Sequence, residues 1–289
     1  MTLKASEFIQ NPNGSIYHLN LLPEHIATTI ITVGDPDRVQ EVTKYFDHIE
    51  VKIKKREFHT QTGTYRGNRI TVISTGIGTD NIDIVFNELD ALVNIDFNSR
   101  EIKEHKTSLD IIRIGTSGAI QPEIPVDSFV VSDTGVGFDA LLHFYESFEI
   151  QDEGFSRALV NDLGLSPHQG IPYVVKGDPT LLSLFNEGYI PGVTITNCGF
   201  YGPQGRVLRL ALKDPDLNNK IEAFSYKGKK ITNLEMETAG IYGLAKLMGH
   251  RSISLNAIIA NRATGEFSLN SVKAVDYLIQ SALQRLVTE

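Results

Sequence analysis

Short runs of β-branched residues alternate along this chain with segments of helical period, and that alternation limits the fold more than any other feature. Parallel strands require a crossover connection, which is usually a helix, so the alternation is typical of α/β proteins. We therefore expect a three-layer α/β/α sandwich around a mixed, largely parallel sheet. The predicted strands cover residues 29–33, 70–74, 110–114, 128–132, 173–175, 193–196 and 252–259.

The same pattern gives the domain organisation. No Pro- or Ser-rich linker interrupts residues 1–289, so we expect a single domain. Residues 94–108 are polar and charged, and residues 199–230 carry many Gly, Pro and Lys, so both are predicted to be irregular loops. Within the second, residues 205–230 could form a lid or a solvated loop. Apolar residues at helical spacing predict amphipathic helices over residues 82–92, 241–248 and 275–286.

The charge balance and the cysteine content exclude several classes of protein. Lys and Arg total 27 against 35 Asp and Glu, a net charge of −8, whereas binding to a nucleic-acid backbone depends on clustered cations. The chain start has no apolar signal segment, and no run of about 18 apolar residues could span a membrane. Cys198 is the single cysteine, which suits a reducing compartment, and we expect a cytoplasmic protein. The single cysteine and the scattered histidines do not have the spacing of metal ligands, so no metal is expected.

The first predicted strand runs directly into Gly34, Asp35, Pro36, Asp37 and Arg38. A glycine lets the backbone approach a ligand, an aspartate can cap a helix, and a proline suits the first helical position. The pattern predicts a helix N-terminus at the carboxyl end of a strand, where free N–H groups attract anions. Two interpretations stay open: an anion site that includes Arg38, or a capped helix with a solvated arginine.

Arg113 interrupts the apolar strand at 110–114, which continues into the glycine-rich segment 115–118. A buried guanidinium is costly unless an anion neutralises it, and that anion is either a carboxylate of the protein or a ligand. The hydroxyl and backbone N–H groups at Thr116 would complete a site with phosphate geometry. No Walker-type motif is present, so a site for nucleoside triphosphates is not expected.

Taken in order, a set of short motifs resembles the nucleoside phosphorylase-I family, and within it the uridine phosphorylases. Each motif alone is weakly specific, whereas the ordered set spans about residues 16 to 265. The resemblance implies the phosphorylase/hydrolase-like version of the α/β/α sandwich. The motifs are Ile16-Tyr17-His18-Leu19, Val33-Gly34-Asp35-Pro36-Asp37-Arg38-Val39, Arg56-Glu57-Phe58, Ser74-Thr75-Gly76-Ile77-Gly78, Arg113-Ile114-Gly115-Thr116-Ser117-Gly118-Ala119-Ile120-Gln121, Phe200-Tyr201 followed by Gln204 and Arg206, Glu235-Met236-Glu237 and Asn261-Arg262.

The resemblance implies reversible phosphorolysis of uridine to uracil and ribose 1-phosphate, with inorganic phosphate as co-substrate and no cofactor. It also implies a homodimer, or a homohexamer built as a trimer of dimers, because Arg56 and His18 would reach a neighbouring subunit's phosphate and ribose. Considered alone, both could be ordinary surface residues. The implied phosphate site is Gly34, Arg38, Arg56, Arg113 and Thr116, the ribose site is His18, Glu235, Met236 and Glu237, and the base site is Phe200, Gln204 and Arg206, with Arg113, Arg206 and Glu237 as the catalytic residues.

Hydrogen-bond chemistry supports the implied base site. Uracil presents O4 and O2 as acceptors and N3–H as a donor, while an amide offers both functions and a guanidinium only donates. Gln204 can therefore face N3–H and O2, while Arg206 faces O4 and stabilises negative charge on the departing base. Cytosine has an amino donor in place of O4, so we expect cytidine to be a very poor substrate.

Several alternatives stay open. Purine-specific relatives resemble each other in an aspartate that protonates purine N7, but the matching residues 257–264 contain no carboxylate. Arg262 in that stretch could instead be structural, held by a carboxylate elsewhere. A phosphorylase of deoxyuridine, thymidine or a purine nucleoside, and a non-catalytic nucleoside sensor, are the other functions considered. Some bacterial members hold a monovalent cation with a glutamate and a serine; Glu57 matches the glutamate, but Asn81 replaces the serine, so no ion is predicted.

Overall fold

All the predicted strands and helices are present in the computed structural model, which describes residues 2–287. Most of them extend beyond their predicted bounds. The strands are β1 Thr29–Val33, β2 His48–Lys55, β3 Phe58–Tyr65, β4 Asn68–Ser74, β5 Ile95–Asp96, β6 Glu101–Ile102, β7 Asp110–Ala119, β8 Phe129–Gly137, β9 Tyr173–Lys176, β10 Ile190–Thr196, β11 Ser225–Tyr226, β12 Lys229–Glu235 and β13 Arg251–Asn261. The α-helices are α1 Pro36–Thr43, α2 Thr79–Asn94, α3 Glu153–Leu163, α4 Pro179–Ser183, α5 Leu217–Ala223, α6 Thr238–Leu247 and α7 Ser271–Leu286.

One mixed sheet of 11 strands organises the described chain, in the order β11-β12-β10-β8-β13-β7-β1-β4-β3-β2, with β9 joined to β8. The central pairs β4–β1, β1–β7, β7–β13, β8–β10 and β10–β12 are parallel, whereas β2–β3, β3–β4, β8–β9, β8–β13 and β11–β12 are antiparallel. The end of β12 also pairs with the end of β7. Strands β7, β13, β8, β10 and β12 therefore close into a ring, which the sequence did not predict.

Helices cover both faces of this sheet. Helix α1 packs against α7, and both contact central strands, while α2 packs against α6, which contacts β8, β9, β10 and β13. The predicted α/β class, a mixed sheet between two layers of helices, is therefore confirmed. None of the helices in the described part of the chain is both long enough and apolar enough to cross a bilayer.

Strands β2 and β3 form a hairpin that was not predicted, although β2 alternates charged with apolar residues, as a strand with one exposed face does, and β3 is rich in Thr. Lys55 and Phe58 are the last pair before the turn, so Arg56 and Glu57 form the turn itself. Arg56 is exposed and has a φ of 54°, a left-handed conformation that is uncommon for a non-glycine residue. The hairpin thus presents Arg56 at an exposed tip.

The prediction that residues 199–230 form an irregular loop is partly wrong. Helix α5, strand β11 and the start of β12 lie within this range, and Leu217, Ile221 and Phe224 are buried in a side core of the protein. Their spacing is helical, but it covers only two turns, which is too short to stand out in the sequence. After Asn94, the last residue of α2, residues 95–108 contain only the short strand pair β5–β6.

Candidate active site

A cavity of about 640 Å³ opens at the carboxyl ends of the parallel strands. This edge is where ligands bind in open α/β sheets. The cavity is larger than a second one, of about 440 Å³, beside the loop that follows β10. Two predicted site residues, His18 and Arg56, lie outside this larger cavity. The other predicted residues all line it: Gly34, Arg38, Arg113, Thr116, Phe200, Gln204, Arg206, Glu235, Met236 and Glu237.

One end of the cavity is formed by the turn between β1 and α1. Asp35 caps α1, because its Oδ1 accepts the N–H of Asp37 at 3.0 Å, and Pro36 is the first helical residue, as predicted. A Cβ on Gly34 would meet only the carbonyl oxygen of Gly76, at 3.5 Å, so packing within the chain does not require glycine there. The space above the turn is open to a ligand.

Arg38 lies half-buried beside that space. Burial is the main cause that lowers its pKa, and the charge of Arg113 lowers it further, against the opposing effect of Asp35. Within residues 2–287, no carboxylate forms an ion pair with Arg38. Its positive charge therefore remains available to an anion.

The sequence left two possible anions for Arg113, a carboxylate of the protein or a ligand. In the structure Arg113 contacts two carboxylates and also lines the cavity in which a ligand could lie. Its Nη2 lies 2.6 Å from Oε2 of Glu237 and 3.0 Å from Oε2 of Glu235. Burial by itself would lower the pKa of Arg113, but the two carboxylates outweigh it and raise the pKa. The guanidinium therefore stays charged although it is almost completely buried.

The other side of Arg113 is held by a polar group inside the strand ring. Its Nη1 donates to Oδ1 of Asn256 at 2.9 Å, and Ser254 Oγ lies at 3.4 Å. Asn256 is fully buried, and its Nδ2 is 3.3 Å from the hydroxyl oxygens of both Ser132 and Ser254. Asn256 therefore fixes the orientation of the guanidinium, a role that its place in an apolar strand did not reveal.

Glu237 lies at the junction of β12 and α6. Its Oε1 accepts the backbone N–H of Gly78 at 2.9 Å, and its Oε2 accepts from Arg113. Gly78 has a φ of 96°, a conformation that favours glycine and points this N–H at the carboxylate. Burial raises the pKa of Glu237, Arg113 lowers it in part, and the nearby Glu235 raises it again, so the net shift is upward.

Glu235 is held entirely by protein groups. Its Oε1 accepts from Thr196 Oγ1 at 2.6 Å, and its Oε2 accepts from the backbone N–H of Glu237 at 2.9 Å. The N–H of Thr238 reaches both oxygens, and Arg113 reaches Oε2. The carboxylate joins the start of α6 to Arg113 and has little capacity left for a ligand.

The opposite end of the cavity combines an aromatic ring, an amide and a guanidinium. The guanidinium carbon of Arg206 lies 3.7 Å from the centroid of the Phe200 ring, and its Nη1 donates to Oε1 of Gln204 at 2.6 Å. Gln204 is buried. Burial, and then the charge of Arg262, lower the pKa of Arg206 to about 10.

Arg262, which the predicted site omitted, does not line the cavity, but its charge acts on Arg206. Its Nη1 is buried without a hydrogen-bond partner, and its Nη2 lies 3.4 Å from the carbonyl oxygen of Gly205. In the described residues 2–287, no carboxylate forms an ion pair with Arg262 or with Arg206. Among these residues no carboxylate therefore holds Arg262, and the charge of Arg262 acts on Arg206 without an anion paired to either guanidinium.

His18 lies in a groove between the N-terminal segment and α2. Its Nδ1 is 2.7 Å from Oε1 of Glu88, and the backbone N–H of Leu19 donates to the same carboxylate at 2.8 Å. Arg56 lies at the exposed tip of the β2–β3 hairpin. Neither residue lines the larger cavity.

The described part of the chain contains no group of three or more His, Cys, Asp or Glu that could hold a metal ion. Glu57 and Asn81, at the two positions that the sequence analysis compared with a cation site, both line the cavity. Only Glu57 has the residue type expected there. A Cβ on Gly76, between them, would lie 2.4 Å from the amide nitrogen of Asn81.

Comparison with known proteins supports these observations. The family profile described as the phosphorylase superfamily matches residues 28–289. A uridine phosphorylase of Thermococcus kodakarensis is 28% identical over 98% of this chain and 90% of its own length. A DeoD-type purine nucleoside phosphorylase of Shewanella loihica is 24% identical over 94% of this chain and 98% of its own. A nucleoside phosphorylase structure from Trypanosoma brucei, which shows uridine phosphorylase activity, superimposes with a TM-score of 0.89 at 26% identity, covering 98% of this chain and 100% of that one.

Proposed function

The chain belongs to the phosphorylase superfamily, and we propose that it is a uridine phosphorylase, a pentosyltransferase that converts uridine and inorganic phosphate reversibly to uracil and ribose 1-phosphate. In this reaction phosphate attacks C1′ while the bond from C1′ to the base breaks. Positive charge develops on the ribose and negative charge on the base. The site must therefore hold an anion on one side of the sugar and stabilise a second anion on the other.

The N-terminus of α1, Arg38, Arg113 and Thr116 would bind the phosphate above Gly34. If both carboxylates are ionised, Arg38 and Arg113 only balance Glu235 and Glu237. A phosphate dianion then needs further positive charge, which the dipole of α1 supplies in part. We assign the rest to Arg56 from a neighbouring subunit, and this assignment supports a homodimer, either free or within a hexamer.

Glu237 would bind the ribose hydroxyls. Each of its oxygens already accepts one hydrogen bond, from Gly78 or Arg113, and each keeps a lone pair for a sugar hydroxyl. Met236 would cover the apolar face of the sugar, and His18 of a neighbour would reach the 5′-hydroxyl. We assign Glu235 to positioning Arg113 and α6, in place of the ribose contact that the resemblance implied.

The single observation that carries the choice of uracil is the guanidinium of Arg206 at the base end, which no carboxylate neutralises and on which the charge of Arg262 also acts. Desolvated positive charge lowers the energy of a transition state in which the leaving group becomes an anion. Uracil can place that charge on its exocyclic oxygens, where Arg206 would donate to O4. Gln204 keeps its two N–H donors at Nε2 for O2 and one lone pair at Oε1 for N3–H.

A purine nucleoside would instead need an acid at N7. The residue at the end of β13 is Asn261, whose Nδ2 donates to the carbonyl oxygens of Gln121 and Ile124, at 2.9 and 2.8 Å. Its Oδ1 accepts the backbone N–H groups of Ala263 and Thr264. This side chain cannot protonate a base, and its amide is used within the protein, which disfavours a purine substrate.

The remaining expectations belong to the same proposal. We propose that the chain acts as one domain, in the cytoplasm, without a cofactor or a metal. Electrostatic stabilisation and positioning by its own side chains are sufficient for the reaction class, since neither a covalent nucleophile nor a redox step is involved.

The proposal is tested by incubating uridine with the protein, with and without phosphate, and following the absorbance change as uracil forms. We expect release that depends fully on phosphate and is nearly abolished in Arg113→Ala. Arg157→Ala, on the exposed face of α3, is the matched control and should keep the wild-type rate. Release without phosphate, or no release from the wild type, would overturn the proposal.

A further inference from the structure

The peptide unit that joins Tyr17 to His18 is held at both of its polar groups. The carbonyl oxygen of Tyr17 accepts from Nζ of Lys55 at 2.5 Å. The N–H of His18 donates to both carboxylate oxygens of Glu88, at 2.9 and 3.0 Å. The backbone at His18 is thereby fixed between β2 and α2.

The ammonium group of Lys55 makes its hydrogen bonds to this N-terminal segment. It also donates to Oδ1 of Asn11 at 2.9 Å and lies 5.0 Å from the centroid of the Tyr17 ring. That ring in turn packs edge-on against His18, with centroids 4.7 Å apart. Within residues 2–287 no carboxylate pairs with Lys55, so neutral oxygens and an aromatic face compensate its charge.

Lys55 is also the last residue of β2, directly before Arg56 in the hairpin turn. One residue therefore holds the segment that carries His18 and forms the base of the turn that carries Arg56. The match to the family profile begins at residue 28 and therefore does not include the N-terminal segment that Lys55 holds.

We infer that Lys55 is a positioning residue that fixes His18 and Arg56 as one unit, so that a neighbouring subunit receives both contacts together. The inference rests on the proposed function, in which these two side chains complete the neighbour's ribose and phosphate sites. Loss of the Lys55 ammonium would release the Tyr17 carbonyl and loosen the turn at once. Phosphate binding and recognition of the 5′-hydroxyl should then weaken in parallel.

The experiment compares Lys55→Met with the wild type by two separate readouts: KM for phosphate, and the ratio of kcat/KM for uridine over 5′-deoxyuridine. We expect KM for phosphate to rise about tenfold and the ratio to fall about tenfold, the change produced by loss of one charged hydrogen bond. Lys55→Arg should restore both readouts in part. Lys52→Met, exposed on the same strand, is the control and should match the wild type.

A change in only one readout, or in neither, overturns the inference, as does dissociation of Lys55→Met into monomers in sedimentation at the assay concentration. If Lys55→Met does not fold, Asn11→Ala removes the second acceptor of the same ammonium, and it must shift both readouts in the same directions. Failure of the proposed function would look different, because the wild type and Lys52→Met would then lack phosphate-dependent cleavage as well.

Discussion

The guanidinium of Arg113 occupies the space in which a side chain of residue 115 would lie. A Cβ on Gly115 would be 2.0 Å from Nη1 and 2.4 Å from the guanidinium carbon. The two residues are neighbours on one face of β7, because side chains alternate along a strand. Glu237 and Asn256 hold the guanidinium in place, so Gly115 is required for the position of Arg113 and not for a turn.

Gly115→Ala is therefore expected to displace Arg113 while the strand remains intact. A displacement of about 1 Å at a reacting site can reduce the rate about 100-fold, and we expect a loss of that order in kcat/KM for phosphate. Steady-state kinetics over a range of phosphate concentrations checks this. The double variant Gly115→Ala/Arg113→Ala should be no slower than Arg113→Ala alone, and additive losses would contradict the explanation.

Asn256→Leu should reduce both stability and phosphate binding. The variant leaves Nη1 of Arg113 with only the distant Ser254 hydroxyl, and an unsatisfied buried donor costs about 1–3 kcal/mol. Urea unfolding should show a loss of that size, and KM for phosphate should rise in the same variant. An unchanged urea midpoint would show that Asn256 does not hold the guanidinium.

Arg206→Ala should damage selectivity between pyrimidine bases more than it damages binding of phosphate. Without the guanidinium, the donor that opposes the amino group of cytosine is gone, and negative charge on uracil O4 is no longer stabilised. We expect the rate with uridine to fall by about 100-fold or more, as for other donors to developing anions. The rates with cytidine and uridine should converge, and a constant ratio between them would exclude this role.

When the pH is lowered, activity should begin to fall at a higher pH than the titration of an ordinary glutamate would produce, because the pKa of Glu237 is raised. Only the ionised form of Glu237 accepts sugar hydroxyls with both oxygens, and burial raises its pKa. Activity is therefore complete above that pKa and falls as the pH drops through it, above the usual value of about 4.3. The pH profile of kcat/KM for uridine at saturating phosphate measures this. The residual activity of Glu237→Gln should lack the same acid limb.

Two inactive variants should restore activity when they are mixed as subunits. Arg56→Ala lacks the contribution to the neighbour's site, and Arg113→Ala lacks its own phosphate contact, so a mixed dimer contains one intact site. Random reassociation of equal amounts should recover about a quarter of the wild-type activity, since half of the dimers are mixed and each has one working site. No recovery would mean that Arg56 acts within its own subunit or not at all.

Much of the sheet, and the helix start at Asp35, could be predicted because they depend on neighbours in sequence. An aspartate cap, a proline at the first helical position and a β-branched strand each act over a few residues. Helix α5 escaped prediction because two turns are too short for a helical period to stand out, whereas hairpin β2–β3 was missed although β2 carries the alternation of a strand. The resemblance named Glu235 and Glu237 together, but their different roles depend on which oxygens the protein already occupies.

The sequence by itself determined the α/β class, the capped helix start after β1 and the need for an anion beside Arg113. Each follows from local chemistry: the period of apolar residues, the capping residues, and the cost of a charge in an apolar strand. Only the tertiary structure decided which groups meet Arg113, that the charge of Arg262 acts on Arg206, and that Lys55 links the segment of His18 to the turn of Arg56. These contacts join residues far apart in the chain, and their partners are selected by sheet register and by closure of the strand ring, which no local pattern encodes.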